Sequence, residues 1–115
     1  MSTELREHDE MLLARIHRLI DTLIDNHFNY HKRNFGTTDI RKIAFDIVPG
    51  VKYYKLILKD SGTSVHAFIN KQSGAVYKPA SWKAPAKHVR YNLLDDVSFE
   101  SCLKRADWAG GYLYM

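Results

Sequence analysis

Near residue 40 the hydrophobic period of the chain changes from about 3.6 residues to 2, and this switch restricts the fold more than any other feature. Before it, Leu12, Ile16, Leu19, Ile20, Leu23, Ile24 and Phe28 recur on one stripe, with Arg15, Arg18, Asp21, Asp25 and Asn26 around the rest. No Gly or Pro interrupts residues 3–30, so they read as one long helix, which Gly36 and Thr37-Thr38-Asp39 bring to an end. After it, Ile43, Phe45 and Ile47 alternate with Lys42, Ala44 and Asp46. Val51–Lys59, Ser64–Asn70 and Ala75–Lys78 follow as strands, separated by the turn signals Pro49-Gly50, Asp60-Ser61-Gly62-Thr63 and Lys71-Gln72-Ser73-Gly74. Tight connections between consecutive strands imply an antiparallel meander.

The expected fold class is therefore α+β. It has a long N-terminal helix, an antiparallel β-meander of about four strands, a stiff Pro/Trp/Lys loop and a short C-terminal helix. A chain of 115 residues suits one domain. Within 1–115 we expect a helical part over 1–34, the meander and basic loop over 40–92, and a C-terminal helix and tail over 95–115. Asp95 or Asp96 caps a helix over residues 97–107, and Gly110-Gly111 breaks it. The tail Tyr112–Met115 reads as a last strand or a docked end.

Composition and motifs exclude several functions. The acids of residues 1–10 do not suit a secretory or transit signal, and no apolar run is long enough to span a bilayer. The single Cys102 cannot form an internal disulfide, which suits a reducing compartment. Gly-x-Ser-x-Gly, P-loop and dinucleotide fingerprints are absent, and paired carboxylates for acid–base work are not evident. Catalysis thus has no support in the sequence, and no cofactor is implied. His27 and His31, at i and i+4, form half a metal site without a third ligand, so no metal is expected.

Charge distribution is more telling than the net +4. Between Ser61 and Leu94 there is no acid, while Lys71, Lys78, Lys83, Lys87 and Arg90 supply cations. Such a surface attracts phosphate. In the same stretch, the loop Pro79-Ala80-Ser81-Trp82-Lys83-Ala84-Pro85-Ala86-Lys87 is stiffened by its prolines. It sets an indole, a hydroxyl and several cations on one frame, with Tyr77 before it and Tyr91 after. An aromatic plane can stack on a base while lysines hold phosphates. His66, mid-strand, is a further candidate ligand donor. Strict alternation would place it on one face with Ser64 and Phe68.

The run SVHAFINKQSGAVYKPASWKAPAKHVRYNLLDD resembles a group of small proteins encoded by tailed bacteriophages, which share a VHAFI-K-G-VYKPASWKAPAK--RYN core. The resemblance covers Tyr53 to Leu94 and leaves the N-terminal helix outside. It implies the cytoplasm of an infected bacterial host as the setting, and supplies no mechanism. It also implies that His66, Lys71, Tyr77, Lys78, Trp82, Lys83, Lys87, Arg90, Tyr91 and Asn92 belong to one unit.

Two functions follow. The first is a module binding a phosphate-bearing partner: single-stranded DNA, RNA or a nucleotide. Its ligand-binding residues would be His66, Lys71, Tyr77, Lys78, Ser81, Trp82, Lys83, Lys87, Arg90 and Tyr91. The second is a host-takeover or anti-defence inhibitor that docks on a host protein through the long helix or a Trp-centred patch. No membrane partner is expected. A helix of about 28 residues is roughly 42 Å long, more than a domain of this size readily covers, so a homo-oligomer through the N-terminal helix is expected.

Overall fold

The computed structural model describes residues 3–36 and 42–114. The first helix, α1 (Thr3–Phe35), runs five residues past the expected end at residue 30, because nothing breaks it before Gly36. There the backbone turns left-handed (φ 61°), and the Gly36 N–H bonds back to the Lys32 carbonyl at 3.0 Å. At 1.5 Å per residue, α1 is about 50 Å long. It therefore defines the long dimension of the molecule, 49 Å against 26 Å in the other two directions.

Strands β1 (Ala44–Pro49), β2 (Tyr53–Lys59), β3 (Thr63–Asn70), β4 (Ala75–Tyr77) and β5 (Tyr91–Asn92) form one antiparallel sheet in sequential order. This is the expected α+β meander with one strand more. β5 has only two residues, too few to show a period, and lies inside the segment expected to be loop. Its pairing comes from the chain returning to β4, where Leu93 N–H donates to the Gly74 carbonyl at 2.9 Å. Each turn uses local chemistry. The Asn70 carboxamide oxygen accepts from the N–H groups of Gln72 and Ser73, and Gly74 (φ 78°) takes the left-handed position that closes the turn.

The two helices cover one face of the sheet. Leu12, Ile16, Leu19 and Leu23 of α1 are fully buried against Leu56, Ala67, Ile69 and Val76. Burying each such side chain contributes about 1.5–3 kcal/mol. The expected stripe stops short of Phe28, which is 44% exposed, because the last turns of α1 run past the sheet. Around those turns His27 is buried instead, edge-on to Trp108 at 4.8 Å. The second helix, α2 (Asp96–Arg105), starts at the Asp95 cap, whose carboxylate accepts from the N–H groups of Val97 and Ser98. Arg15 clamps it to α1, donating to the Leu93 carbonyl (2.8 Å) and to Asp96 (2.7 Å). The tail docks rather than forming a strand. A 3-10 turn at Gly111–Leu113 buries Tyr112 and Leu113 in the core.

One break in regularity relocates a predicted residue. Leu56 pairs with Ala67 but Ile57 pairs with Val65, so His66 is the extra residue of a bulge. The bulge slips the alternation by one position. Phe68 points away from the helices, whereas His66 packs edge-on to Phe45, at 5.3 Å, on the helix-covered side. The expectation that His66 shares a face with Phe68 is corrected accordingly.

Candidate functional site

The face of the sheet away from the helices holds the candidate site. The pairings Val48–Lys55, Lys55–Phe68 and Phe68–Tyr77 align these side chains in a row across β1 to β4. Tyr53, two residues before Lys55, stands beside the row. Its ring is edge-on to Phe68 and to Tyr77, each at 6.0 Å. An aromatic platform thus forms on a surface that α1 and α2 leave uncovered.

The loop after β4 folds back over this platform. It is held by backbone bonds from Ala80 and Ser81 to the Ala84 carbonyl (3.0 and 3.1 Å) and from Ala86 to the Lys78 carbonyl (2.8 Å). Pro79 and Pro85 face each other in an isolated bridge. The Ser81 hydroxyl accepts from Lys83 N–H (3.3 Å) and Ala84 N–H (3.2 Å), so it serves the turn. This frame carries Trp82 back to β2. The Lys55 ammonium lies 5.0 Å from the indole centroid and 5.7 Å from that of Phe68. Trp82 remains 49% exposed. It is therefore not a core plug but a surface ring with a cation against it.

Between this loop and the β1–β2 turn runs a groove of about 280 Å³. Val48, Lys52, Tyr53, Lys55, Phe68 and Lys83 line it, and no carboxylate does. Lys52 also stands over the Tyr53 ring, at 5.5 Å. The ion pairs among the described residues are Arg15–Asp96 and Lys59–Asp46, so none engages the groove's lysines. Three cations thus stand around Tyr53 and Phe68 in a groove that no carboxylate lines.

A family model matches residues 2–115, nearly the whole chain. The chain belongs to DUF7717, a family of unknown function. No curated protein and no solved structure matches it.

In this DUF7717 chain the predicted site residues fall into separate groups. Tyr77, Trp82 and Lys83 are on the outer-face side, Tyr77 against Tyr53, Trp82 against Lys55 and Lys83 lining the groove. Ser81 supports them through the loop turn, and Lys87 is exposed just beyond it. Arg90 lies at the β4–β5 rim, where its N–H bonds the Val76 carbonyl at 2.7 Å. Its Nε is enclosed without a hydrogen-bond partner. Lys71 is elsewhere, over the helix-side ring of Tyr54 at 5.0 Å, and Lys78 stands over Tyr114 at 4.5 Å.

His66 and Tyr91 are in the core. His66 Nε2 and the Tyr112 hydroxyl share a hydrogen bond of 2.8 Å, and the Tyr91 hydroxyl donates to the Tyr112 carbonyl at 3.3 Å. Burial pushes the His66 imidazole down to about 4, and burial also raises the Tyr112 phenol, so both are neutral at pH 7. The same cause pushes the Cys102 thiol up to about 12, which removes it as a nucleophile. This buried network anchors the C-terminal tail and lies on the helix-covered side of the sheet, away from the groove.

Sequence reasoning passed over Tyr53, Lys52, Lys55 and Phe68. A signal was present, because VKYYKLILK places Tyr53, Lys55 and Ile57 on one face by strict alternation. What it lacked was which face the helices would cover. Among the described residues no group of three or more metal-ligating side chains converges, and no helix is long and apolar enough to cross a membrane.

Proposed function

We propose that the outer face of the sheet binds a phosphate-bearing ligand that also presents a base: nucleic acid, or the nucleotide unit it is built from. One observation carries this reading. Lys52, Lys55 and Lys83 line a groove with Tyr53 and Phe68 that no carboxylate lines, and Trp82 stands beside it against the Lys55 ammonium. The half-exposed indole offers a stacking plane, and the lysines offer charge to phosphate. The resemblance to phage proteins supplies the setting, the cytoplasm of an infected bacterium, as part of the same proposal.

The test is binding of a labelled strand of about 30 nucleotides, DNA and RNA, at low and moderate salt, against Trp82→Ala. Stacking on an aromatic side chain is worth about 1–3 kcal/mol, so the variant should bind at least about fivefold more weakly. Undetectable binding at low salt would refute the nucleic-acid reading and leave a small-nucleotide pocket or the docking of a host protein.

Self-association through α1 is a separate proposal. Its apolar stripe is occupied by its own sheet, so contact would fall to Met11, Phe28, Tyr30 and Phe35, which are exposed. A single-chain mass by light scattering at micromolar concentration would exclude it.

A further inference from the structure

We infer that a second copy of this chain pairs with β1, edge to edge and antiparallel about a two-fold axis at Ala44, so that two sheets become one. Among the described residues β2 is the only strand that pairs with β1, and the far edge of β1 has no strand against it. The opposite edge of the sheet is guarded, because β5 has two residues and α2 packs beside it. β1 has six residues and no lysine among them to discourage pairing. Beside its open edge a cleft of about 510 Å³ runs between α1 and β1. Leu13 and His17 line it from the helix, and Phe45, Ile47 and Tyr54 from the sheet. Leu13, Phe45 and Ile47 are only half-buried in the single chain.

The segment around Ala44 is its own complement. Exposure alternates along it: Lys42 and Ala44 are exposed, Ile43 is buried and Phe45 half-buried. With the axis at Ala44, Lys42 of each copy stands opposite Asp46 of the other, and Ile43 opposite Phe45. The first pair joins opposite charges and the second an aromatic ring with a β-branched side chain, both favourable across antiparallel strands. Each pair occurs twice, and Ala44 is small enough to meet itself at the axis. Other registers lose this match. An axis at Asp46 sets two carboxylates against each other, and an axis at Phe45 or Ile47 sets Asp46 against Ala44 or Val48. Asp46 already meets Lys59 of its own β2, so the added lysine places its carboxylate between two cations. In this arrangement the two α1 helices lie on one side of the joined sheet, cleft facing cleft, and the two outer faces lie together on the other.

The experiment combines light scattering with cysteine cross-linking of the full chain. Opposed residues of antiparallel strands have Cα atoms about 4.5–5.5 Å apart, within the reach of a disulfide. Ala44→Cys should therefore link to its own copy under oxidised glutathione, and the unaltered chain should show a two-chain mass at tens of micromolar. Val48→Cys should stay unlinked, because about 27 Å of strand separates the two thiols. Cys102 is buried and does not compete. Lys42→Asp should raise the dissociation constant of the dimer about tenfold, and adding Asp46→Lys should restore it. Circular dichroism checks that each variant is folded. A single-chain mass would overturn the inference. So would a two-chain mass in which Ala44→Cys stays unlinked or Val48→Cys links, which would move the contact elsewhere, or a loss in Lys42→Asp that Asp46→Lys does not repair. Nucleotide binding is unaffected by any of these outcomes, since the groove is built from one chain.

Discussion

Replacing Lys83 with Gln removes one cation from the groove and little else. The side chain is exposed, and the turn is held by the backbone N–H of residue 83 to Ser81 Oγ, which Gln preserves. Each phosphate neutralised on a single strand contributes about −0.7 to the slope of log affinity against log salt. The groove's three lysines therefore account for about −2.1, equivalent to an affinity loss of about 18-fold between about 50 and about 200 mM salt. Without Lys83 their share becomes about −1.4, and the same change of salt costs about sevenfold. Fluorescence anisotropy of a labelled strand at four or five salt concentrations measures both slopes. Circular dichroism confirms that the variant is folded. Equal slopes for the folded variant and the parent would mean that Lys83 meets no phosphate, and the assignment of the groove as the anion site would fail.

Two further outcomes concern the scaffold. The folded-state pKa of His66, about 4, lies below its ordinary 6.5. Between those values the unfolded chain holds a proton that the folded chain lacks, so stability is lost as pH falls through that window. The full difference approaches about 3 kcal/mol, and His27, lowered by burial and by His31, acts in the same direction. His66→Gln should flatten the fall in urea midpoint between pH 7 and pH 4, and an unchanged pH profile would show that other groups dominate. Gly74→Ala should destabilise the fold by about 3 kcal/mol. Its Cβ would meet Leu94 Cγ at 2.7 Å on a backbone with φ 78°, and an unaltered denaturation midpoint would contradict the tight turn.

Much of the architecture was legible in residue order. Leu12, Ile16, Leu19 and Leu23 recur every three to four positions, so their helix and its buried side follow from periodicity alone. The alternation of Lys42 to Ile47, the β-branched and aromatic content of Val51–Lys59 and the Gly- and Asn-bearing turns specify a meander in the same local way. Asp95 is equally readable, since a cap depends on neighbours two and three residues away. The basic loop around Trp82 also stood out from its composition.

The site was less legible, because its chemistry is shared between segments distant in sequence. Trp82 and Lys83 were visible, but Lys52, Lys55 and Tyr53 were not assigned to them. Alternation shows that Tyr53 and Lys55 share a face, not whether helices or solvent will cover it. His66 failed for a related reason. A single bulged residue, produced by a slip in pairing between β2 and β3, reverses the face of everything before it. Local chemistry, acting over a few bonds, thus determined the helix, the turns and the basic loop. The tertiary structure decided which sheet face stays open, where Trp82 lands and that His66 is buried, because each depends on packing between elements that only the folded chain brings together.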